Sequence, residues 1–156
     1  SKQYFNKDTR YDYIECSSKG HNLPIIDGKY QQTGRAFAAK NTHYDGGVFE
    51  TDIAGAYGIE ELKSIARKFT FTEDAVVMSD TFVYEGTGEI VERLVSLIAP
   101  AIEESGKIVI EDTALTYDPN ICAVKITETV TANKNPIFFI DFTLNPKVKE
   151  FTCTIK

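Results

Sequence analysis

The residues best able to do chemistry lie early in the chain, in Ser17-Ser18-Lys19-Gly20-His21-Asn22-Leu23-Pro24-Ile25-Ile26-Asp27-Gly28, followed by Gln31 and Gly34. An imidazole is a common metal ligand and the usual acid or base near neutral pH. His21 sits on a turn introduced by Gly20 and ahead of an apolar strand, so neighbours are expected to hold its ring. A metal site built from protein groups needs three or four ligands. By composition alone His21 therefore reads first as a structural turn histidine and only second as one ligand of a larger set. The other histidine, His43, stands between Thr42 and Tyr44 just before Gly46-Gly47 and reads as a solvated loop-tip residue.

Other site chemistries are missing. The chain has no Gly-x-Ser-x-Gly elbow, no His-Glu-x-x-His pair and no glycine loop that opens a helix. Gly86-Thr87-Gly88 reads as a hairpin turn. Glu60-Glu61 and Glu103-Glu104 read as solvated turns with nothing nearby to raise a carboxyl pKa. The three cysteines, Cys16, Cys122 and Cys153, have no Cys-x-x-Cys spacing and cannot all pair. They read as reduced thiols used as small apolar residues. No catalytic residue is assigned within this chain.

The elements that position these residues follow from period-2 alternation. Leu62 to Phe71 places Ile65, Arg67, Phe69 and Phe71 on one face. Ala75 to Tyr84 places Val76, Met78, Asp80, Phe82 and Tyr84 on one face. Further strands are expected at Glu89 to Ile98, Lys107 to Glu111, near Leu115, Ala123 to Val130, Ile137 to Leu144 and Val148 to Ile155. Turn signals separate them at Asp27-Gly28, Gly46-Gly47, Ser105-Gly106, Asp118-Pro119 and Asn145-Pro146. Helical turns are expected only at Ile59 to Leu62 and Pro100 to Glu104. Many strands at near-regular spacing predict an all-β, antiparallel multi-stranded β-sandwich, one domain over residues 1–156.

Composition bounds the partners. With 156 residues, 42% of them hydrophobic, the chain can bury roughly 70% of its unfolded surface. A net charge of −6 with scattered Lys and Arg argues against a nucleic-acid partner. No run approaches the ~20 apolar residues of a membrane span, and the polar start (Ser1 to Asp8) does not read as a signal peptide. Without Trp, a sugar-stacking surface would fall to tyrosines, of which Tyr4, Tyr11, Tyr13 and Tyr30 are nearest His21 in sequence. A non-catalytic carbohydrate-binding module is the alternative reading that these tyrosines support.

Arg10-Tyr11, the Ser17 to Gly28 segment, Gln31 and Gly34 together resemble the β-sandwich part of heparinase II/III-like polysaccharide lyases. Asp52-Ile53-x-x-Ala56-Tyr57, Arg67-x-Phe69 and Val76-Val77-x-x-Asp80-x-Phe82 continue the pattern, which runs from Tyr4 to Ile98 and more loosely beyond. The resemblance implies a supersandwich-like C-terminal domain packed against an N-terminal helical toroid that carries the groove. Such enzymes cleave acidic, uronate-containing polysaccharides by β-elimination, with Tyr and His moving the protons. The resemblance also implies a zinc, held by the His of the His-Asn pair, a His-x-His-x-Asp stretch and an Asp before a Gly. His21 matches the first of these. The toroid and the other ligands are expected upstream of Ser1, making this chain an excised piece that is inactive alone and lacks tight zinc. The resemblance also implies a secreted or periplasmic location, with a cytoplasmic one left open.

Overall fold

A computed structural model describes Asn6 and residues 9–156. Three short 3-10 turns (Arg10–Asp12, Ile14–Cys16 and Ser18–Gly20) lead into strand β1 (Ile25–Ile26). The remaining strands are β2 (Lys40–Asp45), β3 (Val48–Asp52), β4 (Leu62–Phe71), β5 (Val76–Tyr84), β6 (Ile90–Ser96), β7 (Ala101–Glu104) and β8 (Lys107–Ile110). They continue as β9 (Thr113–Tyr117), β10 (Cys122–Val130), β11 (Pro136–Leu144) and β12 (Glu150–Ile155). All pairings are antiparallel and form two sheets, a small one ordered β1-β6-β11-β10 and a large one ordered β2-β3-β4-β5-β12-β9-β8-β7. The all-β sandwich expected from the alternation is the observed fold.

The core lies between the sheets because alternate residues of each strand point there. The large sheet contributes Ile65, Met78, Phe82, Ile108, Leu115, Phe151 and Cys153, and the small sheet Ile26, Ile90, Leu94, Ile140, Phe142 and Leu144. Phe142 joins the two layers, with its ring 5.0 Å from that of Tyr117 and 4.9 Å from that of Phe151. Leu62 shares the inward face with Ile65, an odd spacing, because a bulge between Leu62 and Ser64 shifts the register there.

Several local expectations are corrected. Pro100 to Glu104 is not a helical turn: residues 101–104 form β7, which pairs with β8 around Ser105-Gly106. Gly106 takes φ +89° there, a left-handed value that favours glycine. The short 3-10 helix near Ile59 lies upstream at Ala54–Ala56, and residues 59–62 close instead as a turn, with Leu62 N donating to Ile59 O. The 3-10 turns between Arg10 and Gly20 were not expected, because they bury no residue and leave no periodic signature. Nor were β2 and β3. Every residue of the edge strand β2 is exposed, so it shows no apolar alternation to read. His43 accordingly lies on that strand rather than in a loop, still exposed and still beside the Gly46-Gly47 turn. Gly86-Thr87-Gly88 is not a hairpin turn, because β5 belongs to the large sheet and β6 to the small one.

The thiols behave as apolar residues. All three cysteines are unpaired, Cys122 and Cys153 are buried, and Cys16 is half-buried. Burial, and secondarily Asp118, pushes the Cys122 thiol up to about 11. Burial, and secondarily Glu92, pushes Cys153 up to about 12. Only thiolate reacts with a disulfide reagent. At pH 8 the native protein is therefore expected to release one equivalent of chromophore from Ellman's reagent quickly, at Cys16, and all three after denaturation. Fast release of three equivalents from native protein would contradict this packing.

Candidate functional site

The Ser17 to Gly28 segment wraps around the edge of strand β6. Only Ile25 and Ile26 pair regularly with that edge, opposite Val91 and Ile90. Past them the chain leaves ladder geometry, and Asn22 substitutes for it: its Oδ1 accepts from Val95 N at 2.7 Å. This capping of an open strand edge explains why an amide side chain follows His21. Replacing Asn22 by Ala is expected to cost about 1 kcal/mol in denaturant titration and to speed amide exchange at Val95. Asn22→Asp, which still offers an acceptor, should recover most of the loss.

Two arginines hold the loop from opposite faces of the small sheet. Arg93 forms a two-pronged ion pair with Asp141, its cross-strand partner, at 2.7 Å for both Nε and Nη2. It also lies 4.0 Å over the Phe139 ring and donates from Nη1 to Lys19 O at 3.1 Å. Arg67 approaches from between the sheets and donates from Nη1 to Asn22 O at 2.5 Å. His21 thus sits between two backbone carbonyls, each fixed by a guanidinium.

Arg67 is itself locked in a buried cluster. Its cross-strand partner Asp80 accepts from Nε at 2.8 Å and from Nη2 at 2.6 Å, and Glu92 of the facing sheet accepts from Nη2 at 3.3 Å. Asp80 and Glu92 are both fully buried. Burial opposes the charge on Arg67, but hydrogen bonding and charge from Asp80, then charge from Glu92, hold it above its ordinary range. Glu92 goes the other way: burial first, then the charge and hydrogen bond of Asp80, keep its carboxyl protonated well above the carboxylate range. One guanidinium, one carboxylate and one carboxylic acid leave the cluster neutral, the arrangement a low-dielectric interior favours.

The other motif residues serve the same loop. Asp52 Oδ1 accepts from Ala54 N at 3.0 Å and Ile65 N at 3.1 Å, fixing the 3-10 helix that delivers Tyr57 into the core. Tyr57 then donates to Pro24 O at 2.6 Å, and burial pushes its hydroxyl pKa upward. Ser18 Oγ accepts from Gln31 N at 3.0 Å. Asp27-Gly28 makes a tight turn with φ +51° and +70°, the two left-handed values such a hairpin demands.

His21 itself is exposed, and its ring makes no hydrogen bond among the described residues, so the neighbours fix its backbone rather than its ring. Among the described residues no group of three or more His, Cys, Asp or Glu side chains could hold a metal ion. Asp27, the Asp before a Gly in this segment, is exposed on its turn and packs against Gly88. Of the tyrosines near His21, Tyr11 is exposed with Arg10 Cζ 4.9 Å over its ring, and Tyr13 is half-buried. Tyr30 is half-buried with Lys19 Nζ 5.5 Å from its ring and Arg93 beside it, and Tyr4 lies outside the described residues. The sequence reading missed the Arg67–Asp80–Glu92 cluster as a unit. Its signal was present, since a charged residue interrupts the inward face of each of three apolar strands.

The fold is a two-sheet antiparallel sandwich, with His21 exposed on the loop that caps the edge of β6. Among solved structures, heparinases contain a domain of similar fold. A heparan sulfate lyase HepC mutant from Pedobacter heparinus matches over 88% of this chain with a TM-score of 0.66 and 12% identity. The heparinase III BT4657 gene product matches with the same values. The chain spans 24% of the length of each. No family profile and no curated protein matches the sequence. At this identity the likeness establishes the fold, that of a heparinase-like β-sandwich domain.

Proposed function

We propose that the chain is the C-terminal sandwich domain of a polysaccharide lyase that cleaves uronic-acid polysaccharides by β-elimination, and that it is inactive alone. In that reaction a base removes the proton α to the uronate carboxylate. The electron pair forms a carbon–carbon double bond as the glycosidic C–O bond breaks, and an acid protonates the leaving oxygen. The sandwich would form one wall of a groove whose remaining residues belong to a helical toroid. The observation that carries this reading is His21, exposed on a loop fixed from both faces of a heparinase-like sheet.

His21 would be this domain's single contribution to a zinc site completed by residues outside these 156. A zinc there would order the sandwich beside the groove. The pinned backbone sets where the imidazole emerges, and a ligand that needs no large rearrangement binds more tightly. The natural gene product that contains this domain tests the proposal. It should yield unsaturated uronate from an acidic polysaccharide, followed by ultraviolet absorbance, and contain zinc by mass spectrometry. His21→Ala should lower both zinc content and turnover by at least ~10-fold, while the 156-residue chain alone shows neither. Elimination by the isolated chain, or full zinc and activity in His21→Ala, would overturn it.

A further inference from the structure

Residues 21–23 form a short span between two anchors. Arg93 holds Lys19 O on one side, and Tyr57 holds Pro24 O on the other. Between them, Leu23 N donates to His21 O at 2.8 Å, Val95 N to Asn22 Oδ1 at 2.7 Å, and Arg67 Nη1 to Asn22 O. His21 and Asn22 are exposed, whereas Arg67, Asp80 and Glu92 are buried. The span is thus a thin, lightly bonded cover against the buried cluster. Segments of this kind open locally before the fold does.

The cluster holds donors for one carboxylate only. Arg67 gives Nε and Nη2 to Asp80 at 2.8 and 2.6 Å and spends Nη1 on Asn22 O. Glu92 receives the longer contact from Nη2, 3.3 Å to Oε2, and its Oε1 receives no donor. Protonated, Glu92 needs no more, because its hydrogen bond with Asp80 uses the proton. Ionised, it would need donors that the closed structure does not supply. Two sources remain, and both run through the span: water admitted when residues 21–23 lift, and Arg67 Nη1 once it leaves Asn22 O.

No other neighbour supplies the missing charge. Glu92 is faced by Arg67 from β4, Asp80 from β5, Cys153 from β12 and Tyr57 from the end of the 3-10 helix. Burial keeps that thiol and that hydroxyl protonated across neutral pH. Its neighbour on β11 is Phe142, and β1 brings Ile25 and Ile26. On the loop, Lys19 turns its ammonium to the Tyr30 ring and His21 is exposed.

We propose that Glu92 gates this span: protonated, it leaves residues 21–23 closed on the sheet, and on losing its proton it lifts them and admits water to the cluster. The imidazole rides on the moving span, so its position follows pH through a carboxyl group to which the ring is not bonded. The gate is a property of the loop and does not depend on the lyase reading. Its direction follows from burial and Asp80, which hold Glu92 protonated well above the ordinary 4.5. Closure is complete below pH 4.5. It weakens by up to about tenfold per pH unit above that, until the folded value is passed.

Amide exchange in the 156-residue protein from pH 5 to pH 8 tests the gate, each rate being divided by the unfolded-chain rate at the same pH. Protection of Leu23 and Val95 should fall at least ~10-fold over the range in which the Glu92 carboxyl 13C shift titrates. The amides of β11 should stay at least ~10-fold better protected than these two. Glu92→Gln should hold Leu23 and Val95 protection within about 2-fold across the range. The parent's carboxyl titration and span protection decide the matter even if that variant does not fold. Constant protection in the parent, a fall that persists in Glu92→Gln, a fall without titration of the carboxyl, or protection at the span equal to that of β11 would each overturn the gate.

Discussion

Replacing Arg67 by Met is expected to remove about 3–5 kcal/mol of folding stability, the range for breaking a buried ion pair from one side. Much of a small domain's total of about 5–15 kcal/mol would go. The loss has two parts. Asp80, fully buried, would lose both hydrogen bonds from Nε and its bond from Nη2, and Asn22 O would lose its donor. Urea denaturation measures the sum. Amide exchange separates the parts, because the lost bond to Asn22 should speed exchange from His21 to Leu23 beyond the global change. Arg67→Lys should fall between the two, since an ammonium keeps the charge but not the planar fork. Replacing all three partners with apolar residues, as Arg67→Met, Asp80→Leu and Glu92→Leu together, should restore much of the stability while leaving the loop unpinned. A loss below about 1 kcal/mol in Arg67→Met would show that the cluster does not hold the two sheets and the loop together.

Glu92 yields the second large effect, in pH dependence. Its folded pKa lies well above the ordinary value of 4.5, with burial the leading cause and Asp80 next. The fold therefore favours protonated Glu92: that contribution is complete below pH 4.5 and is lost as pH rises through the folded value. Above it, the cluster would hold two carboxylates against one guanidinium in a dry interior. Glu92→Gln keeps the shape and an N–H donor toward Asp80 but cannot ionise. It should match or exceed the parent at neutral and alkaline pH and remove the Glu92-dependent fall in stability above pH 4.5. Denaturation midpoints for both proteins from pH 4 to 9 are the measurement. Parallel profiles for the two proteins would show that Glu92 does not titrate in this window.

The strands from Leu62 to Tyr84 were legible because each has one buried face, and burial on one face is what writes period-2 alternation into a sequence. Strand β2 was not, because it lies at the sheet edge with both faces in water and nothing selects its alternation. Gly86-Thr87-Gly88 shows another limit: a short glycine-rich link joins paired strands or crosses between layers with the same residues. Which it does depends on where β6 finds its partners, and those are Ile25, Ile26 and residues of β11, far away in the chain.

The candidate site divides in the same way. Local chemistry marked His21 and Asn22, since a histidine and an amide on a turn before an apolar strand are visible within a few residues. The alternation also put Arg67 and Asp80 on inward faces. Their meeting with Glu92 and with the carbonyl of Asn22 joins residues 22, 67, 80 and 92 from four separate segments. Sequence determined the all-β class, the inward faces and the histidine. Only the packing of one sheet on the other decided that three buried charges become a neutral cluster and that this cluster fixes the loop. Charges pair through space, and the chain's order says nothing of which distant carboxylate a buried guanidinium will meet.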